Sequence, residues 1–164
     1  MTENIYNYPV ALEHVQKIIT NSPAHVKYTS KVTGETYDLR CAVDFLCAEG
    51  TPVLAAADGI VLKVLANVTA KYSGYEKPPE EVLPEALQDG NFVILIHKHG
   101  ELSICSHLSH VLVTPGQQVK TGESLGLSGH TGWSIKPHVH FMVFRFLHVP
   151  PRRDFESLKI KFSE

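Results

Sequence analysis

The chain has 164 residues, of which 43% are hydrophobic and 20% are charged, and its formal net charge is -2. Such a length and composition predict one soluble globular domain. The small net charge provides no basic surface for nucleic acid or an anionic membrane, so we expect neither as a partner. Three cysteines, Cys41, Cys47 and Cys105, form no CxxC pair and leave at least one free thiol, which favours a reducing compartment.

The N-terminal residues contain no basic stretch followed by an apolar run. No segment approaches the ~20 consecutive apolar residues that span a bilayer. As written, the chain is therefore expected to be cytoplasmic.

The first 38 residues form a lead-in segment. Apolar residues recur at helical spacing within 9–20, which predicts a short N-terminal helix that ends at Asn21-Ser22-Pro23. Residues 24–38 are polar, with a turn at Gly34.

From Leu39 onward, short apolar segments alternate with turn residues such as Asp58-Gly59 and Pro115-Gly116. This spacing predicts a mainly antiparallel β domain over 39–148, followed by a C-terminal tail over 149–164. Residues 70–90 interrupt the pattern with three prolines and several acids, which indicates an inserted loop. The insertion is either a solvated excursion or a flap beside a substrate cleft.

The strongest local signal is the pair His138 and His140 in Pro137-His138-Val139-His140-Phe141. Side chains two residues apart in a strand lie on the same face, so both imidazoles project into one space. They can share a metal, or one can bind a metal while the other transfers protons. An exposed histidine pair is the alternative.

Asp44 and His107 add to this signal, because each lies in an otherwise apolar segment where an unpaired polar group is costly. An ion pair with Arg40 would satisfy Asp44 without a metal. Strand alternation places Cys105 on the face of His107. One carboxylate and three strand histidines together suit metal-assisted hydrolysis, in which a metal polarises a carbonyl and acidifies a water molecule.

In these residues the sequence resembles peptidase family M23, the lysostaphin-like metallopeptidases. The resemblance covers roughly Leu39 to Phe146, and its motifs follow in order: Val43-Asp44-Phe45, Glu49-Gly50-Thr51-Pro52-Val53, Ala55-Ala56-Ala57-Asp58-Gly59, Ser106-His107-Leu108-Ser109, Pro115-Gly116, Ser128-Gly129-His130-Thr131-Gly132 and Pro137-His138-Val139-His140-Phe141.

The resemblance implies a mainly β fold of the duplicated hybrid motif type, with an open groove. It implies Asp44 and His140 as zinc ligands and His107 and His138 as catalytic histidines. The implied substrate is a peptide, most often of peptidoglycan, and the family's usual location is periplasmic or extracellular. His130 stands where the family usually has asparagine, so it is a candidate cleft contact. Cys105, on the face of His107 by alternation, is a second candidate.

The sequence departs from the family at one ligand position, because Arg40 stands where the family has its first zinc-binding histidine. A guanidinium group has no lone pair for a metal, and two protein ligands are fewer than the usual three. In one interpretation the enzyme is active and another residue, Cys47, His25, Cys41 or His130, supplies the third ligand. In a second the domain is degenerate and activates cell-wall amidases. In a third its groove binds peptide or glycan without a protein partner.

Overall fold

A computed structural model describes all residues, from Met1 to Glu164. The chain forms sixteen strands: β1 Ile5–Tyr6, β2 Lys17–Thr20, β3 Lys27–Thr29, β4 Thr36–Asp38, β5 Val43–Leu46, β6 Pro52–Leu54, β7 Gly59–Leu65, β8 Lys71–Tyr72, β9 Asn91–Ile96, β10 Leu102–Val111, β11 Gln118–Val119, β12 Ser124–Ser128, β13 Gly132–Trp133, β14 His138–Phe146, β15 Phe155–Ser157 and β16 Lys161–Phe162. Three short 3₁₀ turns, Leu12–His14, Glu85–Leu87 and Lys98–Gly100, are its only helical segments. None of them is long or apolar enough to cross a membrane.

Twelve strands form one large sheet whose main path runs β11-β7-β9-β10-β14-β15-β4-β3. Within it β5 pairs with β14 and β2, while β12 pairs with β10 and β6. All of these pairings are antiparallel except β15–β4, so the predicted antiparallel β fold is confirmed. Two smaller sheets, β1–β16 and β8–β13, are parallel pairs.

The predicted N-terminal helix over residues 9–20 is wrong. This segment contains a single 3₁₀ turn, Leu12–His14, followed by strand β2. Ile18 and Ile19 are β-branched, which favours an extended backbone, and β2 gains a complete ladder by pairing with β5. Tertiary pairing therefore overrides a helical periodicity that was only three turns long.

The two faces of strand β14 have different surroundings. Val139, Phe141 and Val143 are fully buried in a core cluster of 20 residues that fills one side of the sheet. Met142 and Phe144 lie on the opposite face, in a second cluster of six buried residues. His138 and His140 share that second face, so the histidine pair sits on the side of the sheet away from the main core.

The insertion over residues 70–90 is held against the loop that follows β12. The amide of Gly132 donates to the carbonyl of Ala70 at 2.8 Å, and the amide of Trp133 donates to the carbonyl of Gln88 at 2.8 Å. The indole of Trp133 also donates to the carbonyl of Gly74 at 2.7 Å. Both ends of the insertion are thus fixed to residues that lead directly into the histidine strand.

Candidate metal centre

Strand β14 lies between β5 and β10 where it carries its histidines. His140 is opposite Asp44 in the β5 ladder and opposite Ser106 in the β10 ladder. Residues directly opposite in an antiparallel pair have neighbouring side chains. The sheet register therefore brings the aspartate of one strand to the histidines of the next.

Asp44 is surrounded by imidazoles. Its Oδ1 lies 3.2 Å from Nδ1 of His140 and 3.7 Å from Nε2 of His138, and its Oδ2 lies 3.3 Å from Nε2 of His25. No lysine or arginine lies within salt-bridge distance of this carboxylate. The carboxylate is thus available to a cation that the imidazoles can also bind.

The donor set fits a zinc ion. One ligand atom each from His25, Asp44 and His140 lies within 4.8 Å of the other two. Ligand atoms about 2.0–2.1 Å from a tetrahedral zinc ion lie roughly 3.4 Å from one another. The Asp44 carboxylate lies close to that spacing from both histidines, 3.2 Å from His140 through Oδ1 and 3.3 Å from His25 through Oδ2. Two nitrogens and one carboxylate are a donor combination found at catalytic zinc sites.

A proline turn positions His25. The amide of His25 donates to the carbonyl of Ser22 at 2.9 Å, which closes a four-residue turn with Pro23 at its second position. Asn21, at φ 54°, reverses the chain just before this turn. Because β2 pairs with β5 up to this point, the turn places the imidazole over Asp44.

The suggested ion pair between Arg40 and Asp44 is wrong. Arg40 instead binds Asp38, with Nε and Nη2 each donating a 3.0 Å hydrogen bond to that carboxylate. Residues 40 and 41 form a turn, so the strand alternation that would place Arg40 beside Asp44 does not apply. The guanidinium is therefore held by Asp38 and is not among the ion-pair partners of Asp44.

His107 reaches the cluster through an irregularity in β10. Simple alternation would place it on the face of Cys105, which lies opposite Phe141 and is buried in the main core. The ladder shifts register between Cys105 and Leu108, and His107 adopts φ 64°. This bulge turns His107 to the opposite face, where its ring lies 4.6 Å from that of His138. Cys105 is therefore not a cleft contact.

Hydrogen bonds to backbone carbonyls fix the tautomers of two histidines. Nδ1 of His107 lies 2.7 Å from the carbonyl of Thr131, and Nδ1 of His138 lies 2.7 Å from the carbonyl of Lys136. A carbonyl only accepts, so in each ring Nδ1 carries the proton. Each Nε2 then presents a lone pair, as a general base requires.

The protonation states separate into two groups. Burial lowers the pKa of His107, and neighbouring His138 and His140 lower it further. Burial also lowers the pKa of His138, although Asp44 opposes the shift. Both rings are therefore neutral at pH 7.

The pKa shifts of Asp44 and His140 favour the charged form of each side chain. Burial alone would raise the pKa of Asp44, but hydrogen bonds from His140 and His25 outweigh it and hold that pKa well below its ordinary value. Burial would likewise lower the pKa of His140, yet its hydrogen bond with Asp44 raises it. Asp44 and His140 thus stabilise each other's charges, whereas His107 and His138 remain neutral.

His130 does not join the metal-ligand group. Its Nδ1 lies 2.8 Å from Oγ of Ser134, and that hydroxyl donates to the carbonyl of Lys136. Ser134 Oγ also lies 3.2 Å from Nδ1 of His138. His130 is thus linked to His138 through Ser134.

The two other candidates for a third ligand also lie elsewhere. Cys47 is buried in the main core, and Cys41 lines a 370 Å³ cavity together with Arg40 and Lys159. Of the four residues considered from the sequence, only His25 reaches Asp44. The turn residues Ser22-Pro23 were the signal that could have placed it, whereas nothing in the sequence pointed to Ser134 or to the carbonyl of Thr131.

Known proteins show the same family and fold. Residues 39–150 match the model of Peptidase family M23. The chain is 36% identical over 121 residues to an uncharacterized metalloprotease of Haemophilus influenzae, covering 74% of this chain and 22% of that protein. It is 33% identical over 98 residues to the peptidoglycan DD-endopeptidase ShyA of Vibrio cholerae, covering 60% of this chain and 18% of that protein. The chain therefore spans about a fifth of the length of these relatives.

Among solved structures, a zinc containing peptidase from Vibrio cholerae superposes with a TM-score of 0.58 and 29% identity, covering 86% of this chain and 37% of that one. The family match includes Asp44, His107, His138 and His140 but begins after His25. With the matched region covering most of the molecule and a mainly β fold shared with the solved peptidase, the chain belongs to peptidase family M23.

Proposed function

We propose that the chain is a zinc-dependent endopeptidase that hydrolyses peptide bonds of the peptidoglycan type. The observation that carries the proposal is the convergence of Asp44 and His140 with two neutral histidines on one sheet face. Buried groups of this kind cost stability unless they are used, so their joint presence favours chemistry over a purely structural role.

Asp44 and His140 would hold the zinc ion. A bound zinc ion supplies Lewis acidity toward the scissile carbonyl and lowers the pKa of a water molecule toward 7. The side chains of Asp44 and His140 are 14% and 6% exposed, so the protein shields them from bulk solvent. Such shielding strengthens their interaction with a cation.

His107 and His138 would handle protons. Each ring has its Nδ1 proton bound by a backbone carbonyl and presents a free Nε2 lone pair. One Nε2 can accept a proton from the attacking water and then donate it to the leaving amine. The other Nε2, which also lacks a proton, can orient the attacking water by accepting its second hydrogen bond. Because the two rings are only 4.6 Å apart, both can reach one scissile bond.

The peptidoglycan assignment is supported by the relatives. ShyA is named a peptidoglycan DD-endopeptidase, and the matched region of this chain contains all four of the proposed catalytic and zinc-binding residues.

The degenerate amidase-activating interpretation assumed that Arg40 neutralises Asp44. Arg40 binds Asp38 instead, so Asp44 keeps its imidazole neighbours. This arrangement favours the hydrolase over the degenerate module.

The test is hydrolysis by the zinc-loaded chain. Purified peptidoglycan and its soluble muropeptides are incubated with the zinc-loaded protein, and the products are separated by chromatography and identified by mass. We expect new free amino termini, whose rate of formation His138→Ala and His107→Ala each lower by about 100-fold or more. Absence of peptide products from both substrates, with one zinc bound per chain, would overturn the proposal.

A further inference from the structure

We propose that His25 is the third zinc ligand, and that it replaces the family histidine whose position Arg40 occupies. This inference rests on the proposed function, because it assigns a residue to the zinc site described there. His25 lies outside the matched region 39–150, so the ligand comes from a part of the chain that the family match does not include.

The distances carry the assignment. Nε2 of His25 lies 3.3 Å from Oδ2 of Asp44, while Nδ1 of His140 lies 3.2 Å from Oδ1 of the same carboxylate. The three ligand atoms lie within 4.8 Å of one another, and no other set of three histidine, cysteine, aspartate or glutamate residues in the chain meets this condition. His138 is excluded from the set although its Nε2 lies 3.7 Å from Asp44.

The surroundings of His25 indicate that it is held for this purpose. Its side chain is only 8% exposed, and its ring packs edge-on against that of His140 with centroids 4.9 Å apart. Its Nε2 faces the Asp44 carboxylate, which is the only charged side chain within salt-bridge distance of this ring.

The local fold explains how a distant residue reaches this place. Ile19 of β2 lies opposite Asp44 of β5, and the chain leaves β2 one residue later. The Ser22–His25 turn then returns the chain across the end of that ladder. The amide of Leu39 donates to the carbonyl of Val26 at 3.1 Å, which holds the next residue in place.

Arg40 cannot perform the task of the missing histidine. Its guanidinium has no lone pair and is occupied by Asp38. Position 40 lacks the family's histidine, and His25 provides an imidazole in its place. The number of protein ligands is therefore three, as at other catalytic zinc sites.

The experiment measures zinc binding rather than activity. Wild type, His25→Ala, Asp44→Ala and His140→Ala are purified without metal-affinity resin, dialysed against micromolar zinc and analysed for bound metal. His14→Ala is the matched control, because His14 lies in the same N-terminal segment with a half-exposed side chain whose one ion pair is with Glu13. We expect one zinc in wild type and His14→Ala. We expect a loss of affinity of about 100-fold or more in His25→Ala, beyond the effect typical of residues that merely support a ligand.

Cobalt(II) in place of zinc provides a direct test of ligation. In His25→Cys, a thiolate at position 25 would add a sulfur-to-cobalt charge-transfer band in the near ultraviolet that wild type lacks. The melting temperatures of the metal-free proteins are compared, and equal values show that His25→Ala and His25→Cys fold normally.

The outcomes separate the two proposals. No zinc in wild type overturns both. Zinc retained by His25→Ala but lost from Asp44→Ala overturns the assignment of His25 and leaves the zinc-dependent function standing. A cobalt spectrum of His25→Cys identical to wild type, or zinc loss in His14→Ala equal to that in His25→Ala, also overturns the assignment.

Discussion

The guanidinium of Arg40 binds the carboxylate of Asp38 through two parallel 3.0 Å hydrogen bonds. The same carboxylate accepts a hydrogen bond from the amide of Arg40, and the hydroxyl of Ser157 lies 3.4 Å from it. The turn over residues 38–41 is therefore joined to β15, and the arginine is a structural element of that turn. The Asp38 carboxylate neutralises the charge of Arg40, and Arg40 forms no salt bridge with Asp44.

This arrangement predicts that Arg40→Ala keeps its zinc. The variant removes an arginine side chain that is 61% exposed, and no contact with the imidazole cluster is lost. We expect wild-type zinc content with a small decrease in melting temperature, measured by elemental analysis and calorimetry. Asp44→Ala is the matched comparison and should lose the metal. Zinc loss in Arg40→Ala comparable to that in Asp44→Ala would contradict the prediction.

The two neutral histidines are expected to affect catalysis without affecting metal binding. His138→Ala and His107→Ala each remove an Nε2 base while leaving Asp44 and His140 in place. We expect kcat to fall by about 100- to 10,000-fold, the range for loss of a general acid–base group. Zinc titration of the same samples should match wild type. A variant that loses zinc in parallel with activity would show that its histidine is a ligand.

The backbone at His107 predicts an unusual order of stabilities. Its φ of 64° places a non-glycine residue in the left-handed region, which costs roughly 1 kcal/mol for a residue with a Cβ. Because glycine adopts this conformation freely, we expect His107→Gly to be about 1 kcal/mol more stable than His107→Ala. Chemical denaturation of both variants measures the difference. Lower stability of the glycine variant, the usual result within a strand, would show that the bulge carries no strain.

Glu101 predicts a loss of stability in acid. Its carboxylate is fully buried and accepts hydrogen bonds from the amides of Glu3 and Asn4, the side-chain amide of Asn4 and the hydroxyl of Tyr6. Burial would raise the pKa of Glu101, but these donors together hold it below its ordinary value of about 4.3.

A carboxylate whose pKa is lower in the folded protein stabilises it above the unfolded pKa, and that contribution is lost as the pH falls through the folded value. We therefore expect unfolding free energy to decline below about pH 4. Glu101→Gln should lower stability by about 2 kcal/mol at pH 7, since it removes hydrogen bonds to a charged group. The variant should also show a smaller decrease in the free energy of unfolding as the pH falls. An unchanged pH profile in the variant would assign the acid sensitivity to other carboxylates.

Sequence reasoning identified the mainly β fold because strand-length apolar segments and glycine turns repeat over more than 100 residues. It placed His138 and His140 on one face because strand alternation applies to β14, and the resemblance to family M23 implied Asp44 as their neighbour, which the β5–β14 register bears out. The same rule failed for Cys105, since the bulge at His107 interrupts the alternation. A bulge of this kind depends on tertiary contacts, which no local pattern in the sequence reports.

His25 shows a second limit of the sequence. It is one of ten histidines and lies in a polar segment without strand or helix periodicity. Its approach to Asp44 depends on the pairing of β2 with β5, and that pairing was hidden by the helical spacing of residues 9–20. Because residues 17–20 were predicted to be helical, their pairing with β5 was not foreseen, and neither was the approach of His25 to Asp44.

The attachment of the insertion has a consequence for engineering. Ala70 at one end and Gln88 at the other are each hydrogen-bonded to the Gly132–Trp133 pair. The two ends are therefore closed by a common anchor. The exposed residues Tyr75–Lys77 lie beyond the Gly74 contact, so this stretch can change in length without moving the ends. We expect this stretch to accept exchange with loops of other lengths while the sheet beneath it is preserved, which makes it a position for grafting new sequence next to the histidine strand.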